Sequence, residues 1–240
     1  AYDALASAIA KALKVDEHRS RYDMDAFVDT FTFRDVEAWA LNRLRKRVLE
    51  TAETLDGQEI RRYISRRQAE HWVTDNIADN KHAPRRAYRA AYQAIDAAVN
   101  VLELRNSYTD GFQFDSAEDA YEAYTTDFYR FDQLYRRFRE SVDQAPSGVL
   151  STLSDRVEAC YVNWFLPQIA SAWTKHLEGS SGLLNSWRIS NVASQQKFYE
   201  RFVAKQLRAS KQNRVFVIVS DALRYEVAEE LTRHINGLAS

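Results

Sequence analysis

Glycine and proline are scarce in this chain, and their scarcity is what most constrains its fold. Six glycines and three prolines occur in 240 residues, so few positions would end a helix or form a tight turn. Between these positions, apolar residues recur at spacings of three and four, which is the period of an α-helix. The sequence therefore predicts a mainly α protein, a multi-helix bundle of long helices.

The apolar spacing also predicts where the helices lie. We expect helices over residues 2–14, 34–55, 60–77, 85–104, 118–142, 150–177, 192–207 and 222–235. Asp56 and Gly57 are expected to end the second helix, residues 79–84 to break the chain after the third, and Pro167 to kink the sixth. Ser116 is a predicted N-cap for the fifth helix.

One segment departs from the helical pattern. Residues 215–219 are five consecutive apolar, mostly β-branched residues, followed by Ser220 and Asp221. Such a run is typical of a buried strand, and ligands in open α/β sheets bind beyond the carboxyl ends of strands. We therefore predict one terminal β-strand, followed by a helix, that delivers Asp221 to a site.

Composition excludes several classes of protein. The chain carries 33 Lys and Arg against 34 Asp and Glu, a net charge of −1, so no overall field indicates nucleic acid. Cys160 is the only cysteine, which excludes intrachain disulfides and favours a reducing, cytoplasmic location. No apolar run reaches the length of a membrane span, so no membrane partner is expected. Nothing indicates the oligomeric state.

Asp221 is the strongest candidate for chemistry. A carboxylate between a buried strand and a helix is well placed to ligate a divalent metal. The alternative is that Asp221 caps the following helix, a role that aspartate fills well. The spacing of the residues leaves both interpretations open.

Clusters of arginine on the leading helices are a second candidate site. Arg62 and Arg66 lie one helical turn apart, and Arg85 and Arg86 follow on the next predicted helix. A concentrated basic face could contact nucleic acid or a partner protein. Acidic residues interspersed among these arginines favour the alternative, an ordinary salt-bridged helix surface. The aromatic residues of 121–138 recur at helical spacing, which is typical of a core.

Residues 215–231, VFVIVSDALRYEVAEEL, resemble the opening strand and signature of the PglZ family of BREX-type phage-defence proteins. The core of that family is similar to the alkaline phosphatase superfamily. Three upstream segments also resemble the helical region that precedes this core, namely residues 121–138, 157–173 and 195–203. The resemblance implies that the chain ends in a truncated α/β alkaline-phosphatase-like core.

The resemblance implies a role for only one residue. Asp221 matches a metal-ligand position, whereas the nucleophile and remaining ligands would lie beyond the chain end. Arg224, Tyr225 and Glu226 belong to the signature without an assigned role. The resemblance implies that the full-length protein is a metal-dependent hydrolase of phosphate esters. A divalent metal of the zinc or manganese type is expected only in that full-length protein. In this segment alone we expect no catalytic residue, cofactor or activity.

The expected function of the segment is to support that core and contact partners. These would be other phage-defence proteins or nucleic acid. The alternative is a non-enzymatic helical protein–protein interaction module. We predict a leading helical region at 1–105, an aromatic-rich helical region at 106–208, and the first strand and helix of the core at 209–240. Because the chain starts at Ala1, we expect it to be an excised segment.

Overall fold

The computed structural model describes residues 2–18, 24–74, 83–178, 182–209 and 214–238. Helices dominate these residues, which confirms the mainly α prediction. The α-helices are α1 (Tyr2–Ala12), α2 (Val15–His18), α3 (Met24–Phe27), α4 (Asp35–Glu50), α5 (Gly57–Gln68), α6 (Ala83–Asn106), α7 (Ala117–Ala123), α8 (Tyr129–Gln144), α9 (Ser151–Glu158), α10 (Leu166–Thr174), α11 (Leu183–Ser186), α12 (Ala204–Ala209) and α13 (Tyr225–Leu238).

The chain divides into two compact units. The first comprises Ala1–Gly111 and Phe131–Leu166, and the second comprises Phe112–Arg130 and Pro167–Ser240. The predicted regions 1–105, 106–208 and 209–240 stay a prediction.

The core of the first unit is built from α4, α5, α6, α8 and α9. Helix α6 is buried along most of its length and is rich in alanine, whose small side chain lets neighbouring helices pack closely. The other helices contribute Val36, Ala40, Leu41, Leu44 and Val48 from α4, Ile60 and Ile64 from α5, Phe138 from α8, and Leu153 and Val157 from α9. The helical spacing of apolar residues predicted for 34–55 is thus confirmed as a buried face.

The connection from α4 to α5 differs from its prediction. Helix α4 ends at Glu50, and Asp56 and Gly57 begin α5 instead of ending α4. The Asp56 side chain accepts a hydrogen bond from Gln58 N at 3.0 Å, and Gly57 N donates to Glu103 Oε1 at 2.8 Å. A Cβ at residue 57 would lie 2.5 Å from Val99 Cγ1. Glycine is therefore required here because α5 and α6 approach closely.

Within the part of the chain that the structure describes, three π-helical segments interrupt helices that the sequence predicts as continuous. They are Tyr124–Phe128, Ala159–Phe165 and Tyr199–Val203. In the first, Thr125 and Thr126 hydroxyls donate to the carbonyls of Tyr121 and Glu122, at 3.0 and 2.7 Å, and such bonds compete with the backbone ladder.

The second π segment accounts for the irregularity predicted near Pro167. Proline has no N–H, and its ring crowds the carbonyl four residues earlier. That carbonyl belongs to Asn163, which lies inside the π segment. The helix therefore widens ahead of Pro167 and resumes as α10.

The second unit contains an aromatic cluster beside α7. The Phe112 and Phe128 ring centres lie 4.6 Å apart, and those of Phe114 and Phe128 lie 5.9 Å apart. Ser116 Oγ accepts from Asp119 N at 3.0 Å, which confirms Ser116 as the N-cap. Phe128 is buried, as predicted for the aromatic spacing of 121–138, whereas Tyr121 is exposed.

The predicted strand is not formed. Residues 214–220 have no regular secondary structure, and within the described residues no segment is a β-strand. Phe216 and Ile218 are 90% and 92% exposed. A strand is defined by hydrogen bonds to a neighbouring strand, and none of the described residues supplies such a neighbour.

The first and last helices differ from their predictions in detail. Helix α1 buries Ala6 and Ala10, and its larger residues Leu5 and Ile9 are exposed, as is Leu13 just after the helix. The helix predicted over 222–235 begins at Tyr225 and continues through Gly237 to Leu238. The predicted break at 79–84 lies mainly outside the described residues. Among the described helices none has the length and apolar character to cross a membrane.

Candidate functional site

Asp221 lies on an exposed turn that precedes α13. Its Oδ1 accepts a hydrogen bond from Ala222 N at 3.0 Å, and Ala222 has a left-handed backbone with φ of 58°. A left-handed conformation is uncommon for a residue with a Cβ, so the turn is locally strained. Because α13 begins only at Tyr225, the interpretation of Asp221 as its N-cap is wrong. The Asp221 carboxylate is presented to solvent instead.

Arg224 occupies the position where α13 begins. Its carbonyl accepts from Val227 N at 3.2 Å and from Ala228 N at 3.0 Å, which are the first backbone hydrogen bonds of the helix. Its side chain is directed to Glu226, with Nε 2.9 Å from Oε1. Arg224 and Glu226 therefore form an ion pair within the signature.

Glu226 is a fully buried carboxylate in the first turn of α13. Arg224 balances its charge, but neither carboxylate oxygen accepts a well-directed hydrogen bond from the described residues. Burying a carboxylate is unfavourable even when it is paired. Stability alone therefore does not account for a glutamate here, and the Arg224–Glu226 pair stays a candidate for the site.

Tyr225 anchors the start of α13 within the second unit. Its hydroxyl donates to Thr125 O at 2.9 Å, and its ring contacts Tyr124 and Tyr129 at centre distances of 5.9 and 5.5 Å. Partial burial, with the neighbouring tyrosines and Glu229, raises the pKa of the Tyr225 hydroxyl, which keeps it a hydrogen-bond donor. The signature is thus held against the π segment 124–128.

Asp221 does not make a metal site with the residues that the structure describes. Within them no group of three or more His, Cys, Asp or Glu side chains converges. Zinc sites use three or four protein ligands, and other divalent ions need several oxygen ligands. The chemistry of the Asp221 carboxylate suits a divalent cation, but one carboxylate cannot hold it alone. Further ligands would have to come from elsewhere.

The four candidate arginines of the first unit lie in different environments. Arg62 and Arg66 are exposed on α5, and Arg66 forms an ion pair with Asp29. Arg85 is only 11% exposed; its Nη2 lies 3.1 Å from Asp3 Oδ2. Arg86 is exposed. Arg66 and Arg85 would have to leave their carboxylate partners to bind phosphate, so these ion pairs argue against the predicted site. It stays a prediction.

Asp3 ties α1 to the segment that carries Arg85. His71 Nε2 lies 2.8 Å from Asp3 Oδ1, and this hydrogen bond, with the nearby Arg85, lowers the pKa of the Asp3 carboxyl. The Arg85 guanidinium also lies 5.9 Å from the Trp72 ring centre. Arg85 therefore serves packing in the first unit, as does His71.

A buried charge network in the first unit was not predicted. Arg67 forms an ion pair with Glu37, both fully buried, and Arg67 Nη1 donates to the carbonyls of Val28 and Thr30 at 3.0 and 2.8 Å. The Tyr92 hydroxyl donates to Glu37 Oε2 at 2.6 Å. Burial is the main cause that raises the pKa of the Tyr92 hydroxyl, and Glu37 raises it further. Burial alone would lower the pKa of Arg67, but the Glu37 carboxylate outweighs this effect, so the pKa of Arg67 is raised.

Helical spacing could have revealed this network. Arg67 follows Ile60, Tyr63 and Ile64 at intervals of seven, four and three, so it shares their buried face of α5. The helix predicted over 192–207 is present, but the exposure of its aromatic residues was not predicted, because aromatic residues at helical spacing are usually core. Cys160 is buried among apolar residues, and burial raises its pKa to about 11.

Part of the chain is similar to a known protein family. Residues 198–239 match the family described as "BREX system PglZ alkaline phosphatase-like domain". The matched segment contains the signature from Asp221 to Glu226 and the helix that precedes it. No solved structure matches the chain.

Two curated relatives extend this likeness to nearly the whole chain. One is "Alkaline phosphatase-like protein BrxZ" of Escherichia coli O9:H4 (strain HS), 34% identical over 242 residues. The other is "Alkaline phosphatase-like protein PglZ" of Bacillus cereus (strain H3081.97), 31% identical over 236 residues. Each alignment covers 98% of this chain and 26% of the relative, so the chain spans about a quarter of their length. The resemblance to the PglZ family is confirmed.

Proposed function

We propose that this chain is the helical portion of a PglZ-type phage-defence protein, together with the start of its phosphatase-like core. The full-length protein hydrolyses phosphate monoesters or diesters with the help of divalent metal ions. The single observation that carries this proposal is the signature turn, which presents the Asp221 carboxylate within the segment that matches the PglZ domain. The helical segment supports the core and contacts other defence-system proteins.

The apolar run before Asp221 supports this proposal. Phe216, Ile218 and Val219 are almost fully exposed, and each would gain roughly 1.5–3 kcal/mol if it were buried. A covered sheet is the structure in which such a β-branched run is stable. In the full-length protein we therefore expect residues 215–219 to form the predicted strand and to fix the position of Asp221 at its end.

Residues of this chain have distinct parts in the proposed site. Asp221 would supply one oxygen ligand to a zinc- or manganese-type ion, and bound metal ions activate a nucleophile and neutralise charge on the phosphoryl group. Tyr225 holds the start of α13 on the Thr125 carbonyl. Arg224 pairs with the buried Glu226 and so fixes the residues between Asp221 and the helix. The nucleophile and the other ligands would come from outside the chain.

The test is metal-dependent hydrolysis by the full-length gene product. After removal of metal with EDTA, we expect manganese or zinc to restore hydrolysis of bis(p-nitrophenyl) phosphate. Loss of an outer-shell partner alone typically costs 10- to 100-fold, so Asp221→Ala should lower kcat/KM by at least about 100-fold. Asp143→Ala, an exposed carboxylate on α8, is the matched control and should be unchanged.

Two outcomes would contradict the proposal. One is metal-dependent turnover that persists in Asp221→Ala at the level of the control. The other is no metal-dependent hydrolysis by the folded full-length protein, which would favour the alternative of a non-enzymatic helical interaction module.

A further inference from the structure

The helical segment 195–209 exposes its aromatic residues. It consists of a 3-10 turn at Gln195–Lys197, the π segment Tyr199–Val203 and α12. Most of its residues are exposed, and only Val203, Ala204 and Leu207 are half-buried. We name Phe198, Tyr199 and Phe202 the aromatic stripe; they are 46%, 61% and 50% exposed. The Phe198 and Phe202 ring centres lie 5.6 Å apart, so their rings share one face.

A row of cations runs beside the aromatic stripe. We name it the basic stripe; its members are Lys197, Arg201, Lys205 and Arg208, all exposed. Their spacings of four, four and three place them along one face of a helix. Lys197 and Arg201 directly precede Phe198 and Phe202 in sequence, so the two stripes are offset by about 100° around the helix axis. They therefore lie side by side.

The charge of the segment is unbalanced, unlike that of the chain as a whole. Residues 195–209 contain the four cations of the basic stripe and one acid, Glu200, a net charge of 4 − 1 = +3, whereas the whole chain has −1. Glu200 lies about 100° from Arg201 around the helix, away from the centre of the basic stripe. A positive field therefore lies next to exposed aromatic faces, while the third face of the helix, with Val203 and Leu207, is half-buried.

We propose that the segment 195–209 binds single-stranded nucleic acid. Bases stack on the aromatic stripe, and the phosphates of the same strand pair with the basic stripe. Proteins that bind single strands without sequence preference combine these two elements, a cationic track for the backbone and aromatic side chains for successive bases. Arginine beside an aromatic residue adds cation–π contacts to the stacked bases.

The aromatic stripe decides which kind of strand binds. In a duplex the base faces are stacked on one another, so only the basic stripe would be used and the aromatic stripe would stay exposed to water. Bases of a single strand offer free faces for stacking. An acidic peptide would likewise use the cations and leave the rings uncovered. The combination therefore fits a single strand better than a duplex or an acidic peptide.

This surface is separate from the proposed hydrolytic site. Its binding needs neither a metal ion nor Asp221, so hydrolysis and strand binding can be tested independently. It also differs from the arginine candidates of α5 and α6, where Arg66 and Arg85 are already paired with carboxylates.

The test measures binding of fluorescein-labelled single strands to the full-length gene product in EDTA. Fluorescence anisotropy is recorded with dT20, U20 and a 20-base-pair duplex over a range of salt concentrations. We expect both single strands to bind more tightly than the duplex. Phe198→Leu/Phe202→Leu should raise the Kd for dT20 by about tenfold or more, since stacking typically contributes that much per base.

The basic stripe is tested by the salt dependence. Each phosphate contact to a single strand contributes about −0.7 to the slope of log affinity against log salt concentration. Arg201→Gln/Lys205→Gln should therefore reduce the magnitude of the slope by about 1.4. The matched control is Lys175→Gln/Arg188→Gln, which removes the same charge from exposed positions of the same unit and should leave Kd and slope unchanged.

Hydroxyl-radical footprinting tests whether the aromatic stripe is accessible in the full-length protein. We expect Phe198, Tyr199 and Phe202 to be oxidised in the free protein and protected by dT20. Protection without dT20 would mean that another part of the protein covers the helix and would overturn the proposal. So would tighter binding of the duplex, an unchanged Kd in the aromatic variant, or a loss of affinity in Arg62→Gln/Arg66→Gln alone.

Discussion

The first unit surrounds its buried ion pair with hydrogen-bond partners, whereas the second unit exposes a run of apolar side chains to solvent. Arg67 and Glu37 are fully buried and share their charges with each other, with Tyr92 and with two backbone carbonyls. Phe216 and Ile218, by contrast, lie in solvent without secondary structure. Each arrangement is the reverse of what the residue type alone would favour.

The comparison shows that the two units differ in whether these side chains find partners within the described residues. In the first unit a charge is tolerated inside because its partners are supplied by α4, α5, α6 and the segment that precedes α4. In the second unit the apolar run and the aromatic stripe have no such partners among the described residues. Under the proposals made for them, the apolar run forms a strand in the full-length protein and the aromatic stripe binds single-stranded nucleic acid.

The largest effect is expected from the buried ion pair. Arg67→Met removes the cation and leaves Glu37 and Tyr92 in the interior. Breaking a buried pair in this way costs about 3–5 kcal/mol. We expect the free energy of unfolding of the 240-residue chain to fall by that amount in guanidinium denaturation followed by circular dichroism.

Arg66 provides the matched control on the same helix. Its ion pair with Asp29 is about half exposed, and such pairs contribute about 0–1 kcal/mol, so Arg66→Met should change stability little. Glu37→Leu/Arg67→Met should be more stable than Arg67→Met alone, because no uncompensated charge remains. Equal losses in Arg66→Met and Arg67→Met would remove the basis of the contrast.

A smaller effect is expected from the single cysteine. Cys160 is buried in the first unit, so it should not react with Ellman's reagent at pH 8 until the chain unfolds. Its counterpart is Val219→Cys in a Cys160→Ala background, at a position 87% exposed in the second unit. That thiol should react at the rate of an unfolded peptide. Rapid labelling of native Cys160 would contradict the burial of this part of the core.

The raised pKa of Cys160 also predicts a dependence on pH. Burial raises the pKa from about 9 in the unfolded chain to about 11, so the folded state favours the neutral thiol. The contribution of the neutral Cys160 thiol to the free energy of unfolding is fully present below pH 9 and is lost as the pH rises through 11. Its upper bound is about 2.7 kcal/mol. The difference in unfolding free energy between the natural chain and Cys160→Ala should therefore shift against the natural chain above pH 9.

Most of the fold of the first unit could be predicted from the sequence. Val36, Ala40, Leu44 and Val48 recur at helical spacing and are all buried on α4. Hydrophobic spacing is a local property, so it can be recognised without knowing the neighbours. The π segments could not be predicted in this way, because they depend on individual hydrogen bonds such as that of Thr126 to Glu122.

The residues of the candidate site could be identified from the sequence, but their arrangement in space could not. Residues 221–226 could be singled out from the apolar run and the signature. The prediction of a strand was wrong for the described residues, because a strand needs a neighbouring strand and none of these residues provides one. Tyr225 shows the same limit, since its bond to Thr125 joins residues one hundred positions apart, and no local pattern indicates such a contact.

The smallest effect is expected from the hydroxyl that anchors the signature. Tyr225→Phe removes only the hydrogen bond to Thr125 O, and the ring contacts with Tyr124 and Tyr129 remain. A hydrogen bond of this kind contributes about 0.5–1.5 kcal/mol, and the partial exposure of Tyr225 favours the lower end. The loss should be local, because the bond joins α13 to one π segment.

Hydrogen exchange provides the measurement for Tyr225→Phe. Amides in the first two turns of α13 should exchange faster by about two- to tenfold, while those of α6 in the first unit stay unchanged. Tyr199→Phe, at an exposed tyrosine of the same unit, is the control and should alter neither. If Tyr225→Phe left α13 unchanged as well, the hydroxyl would not anchor the helix, and its start would be held by the ring contacts with Tyr124 and Tyr129 and by the Arg224–Glu226 pair.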